Sequence, residues 1–144
     1  MIQEIIYNYY FASIALSWLT AVFLKALVKA VREHHWFLIR DGLANGGMPS
    51  VHSAFITAIS VAIAVTSGFT DIFYLALVIS LIVMADAVKV RKNMGEQGEA
   101  LNELLKKYKG TNIPIVYGHT SLQVFMGVII GIIIPLLLKP YFGI

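Results

Sequence analysis

Cysteine is absent from these 144 residues, so neither a disulfide nor a thiolate metal site is available. Charge is scarce as well: 13% of the residues are Asp, Glu, Lys or Arg, while 58% are hydrophobic. A soluble domain carries about twice that share of charge. The shortage gains meaning because the apolar residues fall in long runs, and the two together predict an integral membrane protein. The chain opens on Met1-Ile2-Gln3-Glu4 and so lacks the basic start of a signal peptide. The first apolar run is therefore expected to stay as a span. No nucleic-acid partner is expected, since the basic residues adjoin spans and no binding motif surrounds them.

The runs predict one membrane domain over residues 1–144. Its four spans lie at about 7–27, 50–67, 69–88 and 121–138, each near the ~20 residues that cross the hydrocarbon core. Ten of the eleven Lys and Arg residues fall in two connecting segments. Lys25, Lys29, Arg32 and Arg40 form one group; Lys89, Arg91, Lys92, Lys106, Lys107 and Lys109 form the other. The turn at Ser67-Gly68-Phe69-Thr70-Asp71 has neither residue type. The positive-inside rule then puts both basic segments in the cytoplasm, in a cell membrane, with both termini outside. Leu101, Leu104, Leu105 and Tyr108 follow helical spacing and predict a surface helix at about 96–109, capped by Gly110. Gly127 and Gly131 allow close packing of the fourth span and suit a homodimer. Pro135 is expected to bend that span. The expected fold is an all-α integral membrane protein, a four-span bundle with a cytoplasmic surface helix.

Histidine is the chemically informative residue. His52 stands in Gly46-Gly47-Met48-Pro49-Ser50-Val51-His52-Ser53, and His119 in Gly118-His119-Thr120-Ser121-Leu122-Gln123. Each opens an apolar helix, and Arg91 follows the third span. Three helix ends thus bring polar groups to one depth. Helix N-termini favour anions, glycine amides approach a ligand closely, and arginine binds phosphate bidentately. Lys25, Lys89 and Lys92 can add charge. One neutral imidazole can attack phosphorus while another protonates the leaving oxygen. A metal centre is not expected, because no carboxylates stand near these histidines at ligand spacing. No other cofactor is implied.

The segment from Gly46 to Ala54 resembles the second signature of the type 2 phosphatidic acid phosphatases, proline-serine-glycine-histidine. His119, Gln123, Val124, Gly127 and Gly131 resemble their third signature. Asp86-Ala87-Val88-Lys89-Val90-Arg91-Lys92 and Leu101-Asn102 resemble the divergent branch of that superfamily, which is related to acid phosphatases and vanadium haloperoxidases. The resemblance runs from about Lys25 to Gly131. It implies a reduced phosphatidic-acid-phosphatase-like core and a metal-free phosphatase working through a phosphohistidine. His119 matches the nucleophile and His52 the general acid. Ser50 and the amides of Gly46 and Gly47 match the phosphate cradle. Lys25 and Arg32 have the spacing of the first signature, with Glu33 in place of its proline. Val51 replaces the glycine of the second signature. Ile113 stands where the third has arginine, and Gln123 where it has aspartate.

These readings predict hydrolysis of a lipid phosphate: phosphatidic acid, phosphatidylglycerophosphate or a polyprenyl phosphate or diphosphate. Membrane lipids are the expected partners. The alternative is a binding or transport protein that keeps the cradle without turnover, motivated by the weakened third signature. Structural readings stand beside the catalytic ones. Thr120 and Gln123 form a capping-box pattern. Asp86 can pair with Lys89, and Arg91 and Lys92 can be topogenic. His34 and His35 beside Trp36 read as interfacial anchors. In the divergent branch, Arg91 is expected to stand in for the lost arginine and Asp86 for the lost carboxylate, with Lys92 beside Arg91 among the phosphate-binding residues. Of Asp86 and Gln123, the aspartate is expected to hold the His119 ring.

Overall fold

The structure is a computed structural model that describes residues 2–34, 36 and 38–144; His35 lies outside them. The helices are α1 (Ile2–Glu33), α2 (Ile39–Leu43), α3 (Val51–Ser67), α4 (Asp71–Ala85), α5 (Arg91–Lys107) and α6 (Ser121–Leu138). A π turn (Asp86–Val90) joins α4 to α5, and a 3-10 turn (Lys139–Phe142) follows α6. The described residues contain no strand. The all-α membrane bundle expected from the sequence is the fold observed.

Three stretches, Asn8–Glu33, Asp71–Lys107 and Ser121–Phe142, are long and apolar enough to cross a membrane. α3 is shorter, at 17 residues, or roughly 25 Å. It is also the central helix, packed against α1, α4 and α6. Small residues make that possible. A Cβ at Gly127 would collide with the Ser50 carbonyl, and one at Gly131 with the Ala54 carbonyl. α6 therefore lies backbone to backbone against α3, as the glycine spacing implies. Ala21 and Val22 of α1 pack on Val51 and Ala54, with Ile130 of α6 completing the cluster. Along α1, Tyr9, Ser13, Ser17, Ala21 and Lys25 recur every fourth residue, and all are buried. That stripe carries the Lys25 ammonium inside the bundle. At the opposite end Tyr9 donates to the Pro135 carbonyl at 2.9 Å.

The surface helix expected at 96–109 is not a separate element. It begins at Arg91 and continues the third span as one 37-residue rod. No proline separates Val88 from Glu96, and lone glycines weaken a helix without ending it. The irregularity is absorbed in the π turn, where Arg91 N–H bonds to the Asp86 carbonyl. At the far end, Lys109 rather than Gly110 takes the left-handed conformation, with φ 55°. Gly110 N–H then bonds to Leu105 O at 2.8 Å and Lys109 N–H to Lys106 O at 3.2 Å, the two bonds of a Schellman ending. Residues 109–119 return as an irregular strap. Asn102 pins it, donating from Nδ2 to Ile113 O at 3.0 Å and accepting from Ile113 N–H at 2.8 Å.

Candidate active site

A cleft of about 150 Å³ lies at one end of the bundle. Trp18 and Lys25 of α1, Asn45 and Gly46 of the α2–α3 loop, His52 of α3, Arg91 of α5, and Tyr117 and His119 of the strap all line it. Four chain segments distant in sequence thus converge on one small volume. Lys25, Gly46, His52, Arg91 and His119 were expected together from the sequence and are found together.

His119 is held at three points. Its N–H donates to the Ala87 carbonyl at 2.9 Å, and the preceding Gly118 lies so close to the π turn and the start of α5 that a Cβ there would strike Ala87 O and Lys92 N. Its ring Nδ1 lies 3.0 Å from Gly47 O and 3.2 Å from Gln123 Oε1. Both partners are acceptors. The Gln123 oxygen is identified by Thr120 N–H, which donates to it at 3.1 Å, since an NH₂ group there would face another donor. Nδ1 therefore carries the proton and donates, and Nε2 keeps its lone pair. The ring is only 7% exposed. Burial is the main influence on its basicity and pushes the imidazole below its usual 6.5; the bonds to Gln123 and Gly47 pull the other way, while Lys25 and His52 add to the lowering.

His52 is exposed and stacks at a tilt on Phe55, with ring centroids 5.6 Å apart. Lys25 is 6% exposed and donates to the Ala44 carbonyl. Arg91 Nε donates to Asp86 Oδ2 at 2.6 Å, which leaves the two terminal guanidinium nitrogens for another partner. Asp86 therefore meets Arg91, neither Lys89 nor the His119 ring. The expectation that Asp86 holds His119 is corrected: Gln123 does so, because it lies one turn along α6 and shares a helix end with the histidine. Gln123 also closes the capping box, with Thr120 Oγ1 accepting from Gln123 N–H at 3.3 Å.

Two neighbouring clefts take the remaining residues. One, of about 390 Å³, lies beyond Lys25 and is lined by Lys29, Arg32, Asp41, Gly47 and Gln123. There Lys29 Nζ donates to Asp41 at 3.0 Å. The other, of about 360 Å³, contains Lys92, Gly118 and the other side of His119; Lys92 stands 4.0 Å from Glu96. Ser50 lines none of the three. It is fully buried, and its hydroxyl caps α3 by accepting from Ser53 N–H at 3.4 Å and Ser53 Oγ at 2.9 Å. Ser50 thus acts through the helix it caps, which presents His52 two residues later. Trp18, Asn45 and Tyr117 were not anticipated. Trp18 stands two helical turns before Lys25 on the same face, and Asn45 and Tyr117 flank motifs already singled out.

An all-α bundle with three membrane-length helices, gathering two histidines, a lysine and an arginine at one end, defines a multi-pass membrane protein with a polar cleft at its helix ends. The chain belongs to the Divergent PAP2 family, whose pattern matches residues 6–134. It is similar to the uncharacterized membrane protein YuiD of Bacillus subtilis (strain 168), with 31% identity covering 77% of this chain and 80% of that one. No solved structure matches the chain.

Proposed function

We propose that this protein hydrolyses a lipid phosphate, with the phosphoryl group seated between His119, His52, Lys25 and Arg91. The observation that carries the reading is the fixed tautomer of His119: Nδ1–H is committed to Gly47 and Gln123, so Nε2 is free to attack. In the first step Nε2 bonds to phosphorus and the phosphorus–oxygen bond to the lipid breaks. His52, as imidazolium, gives its proton to the departing alkoxide. In the second step neutral His52 takes a proton from water, whose oxygen bonds to phosphorus. The phosphorus–nitrogen bond breaks, and inorganic phosphate and His119 are regenerated. Lys25 and Arg91 neutralise the phosphoryl oxygens, and Asp86 holds Arg91 in place. No step needs a metal.

Phosphatidic acid, phosphatidylglycerophosphate and polyprenyl phosphates or diphosphates are the candidate substrates. The basic connections of this end favour a cytoplasmic site. The neutral Gln123 supports a second reading, a binding or transport protein, because an amide cannot offset an imidazolium as a carboxylate does. Purified protein with a panel of lipid phosphates separates the two. The enzyme releases phosphate, and His119→Ala abolishes release while the helical signal is unchanged. Saturable lipid binding with no release by the parent protein sinks the enzyme reading.

A further inference from the structure

α4 is attached to the bundle through α3. It makes no interface of comparable extent with α1 or α6, although those two pack on each other. Two channels therefore flank α4. One, between α4 and α6, is a cavity of about 610 Å³ with an almost wholly apolar lining, including Thr57, Val61, Leu77, Leu81, Met84 and Val128. The other, called the furrow below, is the gap left where α4 and α1 do not pack on each other.

The geometry of α3 decides which channel belongs to the histidine cleft. At 3.6 residues per turn, His52, Phe55 and Ile59 share an arc of roughly 60°, while Thr57, Val61 and Ala64 lie roughly 180° around the helix. Three contacts fix where the neighbours sit. Ser80 of α4 bonds to Ser60 Oγ at 2.9 Å and to Ile56 O at 3.1 Å. Gly127 and Gly131 of α6 lie on Ser53, Ala54 and Thr57. Ala21 and Val22 of α1 lie on Val51 and Ala54. The order around α3 is α6, the large cavity, α4, the furrow, α1. His52 and Phe55 face the furrow, and Trp18 of α1 and Arg91 line the cleft at its end. On α4, Leu77, Leu81 and Met84 turn to the cavity, so Ala76, Ile79 and Val83, on the other side of Ser80, turn to the furrow.

We infer that the hydrocarbon chain of the lipid phosphate lies in the α1–α4 furrow, over Phe55 and Ile59, and not in the larger α4–α6 cavity. This rests on the phosphohydrolase reading. The occupant follows from continuity: a phosphoryl group between His52 and Arg91 has its ester oxygen at the end of the furrow. The large cavity is on the far side of α3, and a chain there must pass through packed helix. The furrow opens to the bilayer, so the substrate reaches the cleft sideways from the lipid, and Phe55 and Ile59 become specificity residues for chain length and bulk.

The test uses two tryptophan substitutions and two esters. Ile59→Trp fills the furrow; Val61→Trp fills the large cavity. With a long-chain phosphatidic acid, Ile59→Trp is expected to raise KM about tenfold, as expected for roughly 1.4 kcal/mol of lost contact. A short-chain soluble analogue should keep its KM, and Val61→Trp should leave both unchanged. Equal effects on both esters, or a selective effect of Val61→Trp, overturn the inference. A second measurement needs no turnover. In a Trp36→Phe background, phosphatidic acid with brominated chains should quench Trp18 fluorescence more than brominated phosphatidylcholine at equal mole fraction. Equal quenching overturns the furrow. Absence of phosphate release from every ester, with selective quenching retained, removes the hydrolase reading and leaves the furrow standing.

Discussion

The Gln123 amide oxygen accepts two hydrogen bonds, from Thr120 N–H and from His119 Nδ1–H. The sequence presented capping and ring-holding as competing roles; one side chain fills both because the helix cap and the histidine are adjacent. The competitor, Asp86, could not be placed by sequence, since its reach depends on the rotation of a helix on the far side of the cleft. This arrangement has a pH consequence. Burial holds His119 below 6.5, so Nε2 stays neutral to lower pH than in a free imidazole. On the proposed phosphohydrolase mechanism, falling pH protonates it and ends attack. The acid limb of kcat/KM should therefore lie below pH ~6.5. Gln123→Glu keeps both acceptor positions and adds a negative charge beside the ring, which favours imidazolium. The variant should stay folded and its acid limb should move upward. An unmoved limb would show that Gln123 does not touch the titrating group.

Helices were legible where apolar runs were long, and their ends were less so. The runs located α1, α3, α4 and α6, but α1 extends beyond its predicted end to Glu33, and α4 flows into α5. Hydropathy marks where a helix leaves lipid, not where its hydrogen bonds stop. The π turn has no sequence signature at all, yet two site features hang on it: the Asp86–Arg91 pair and the Ala87 carbonyl that receives His119 N–H. A π turn carries one residue more than an α-helix of the same bonded length. Inserting one alanine after Val88 should lengthen the helix by a residue and swing Arg91 by roughly 100° relative to α4. Far-UV circular dichroism should register an intact helical protein, while vanadate, a phosphoryl mimic, should bind at least tenfold more weakly by calorimetry. Unchanged vanadate affinity would remove the π turn from the site.

For the molecule as a whole, the charge pattern makes a claim about orientation. Every Lys and Arg except Lys139 lies at or beyond the end of the bundle that holds the cleft, whereas the Gly68 turn at the other end has none. In a chain without cysteine each introduced thiol is unique. Ser67→Cys should react with an impermeant maleimide added outside intact cells, and Lys107→Cys only after permeabilisation. The reverse pattern would put the cleft on the outer face. The cleft's membership was readable because both histidines open helices at one depth. The furrow was not, because it depends on which helices fail to touch.

Asn102 touches nothing in the cleft, yet its two bonds to Ile113 pin the middle of the strap. A free connection from Lys107 to Ser121 would be a flexible polymer, and fixing His119 at its end would have to quench the wandering of the whole segment. Pinning Ile113 cuts that segment into two short loops, and the cost of ordering a loop grows with its length. The histidine is therefore held still partly by chain statistics, decided at a buried residue of α5 that lies outside the cleft.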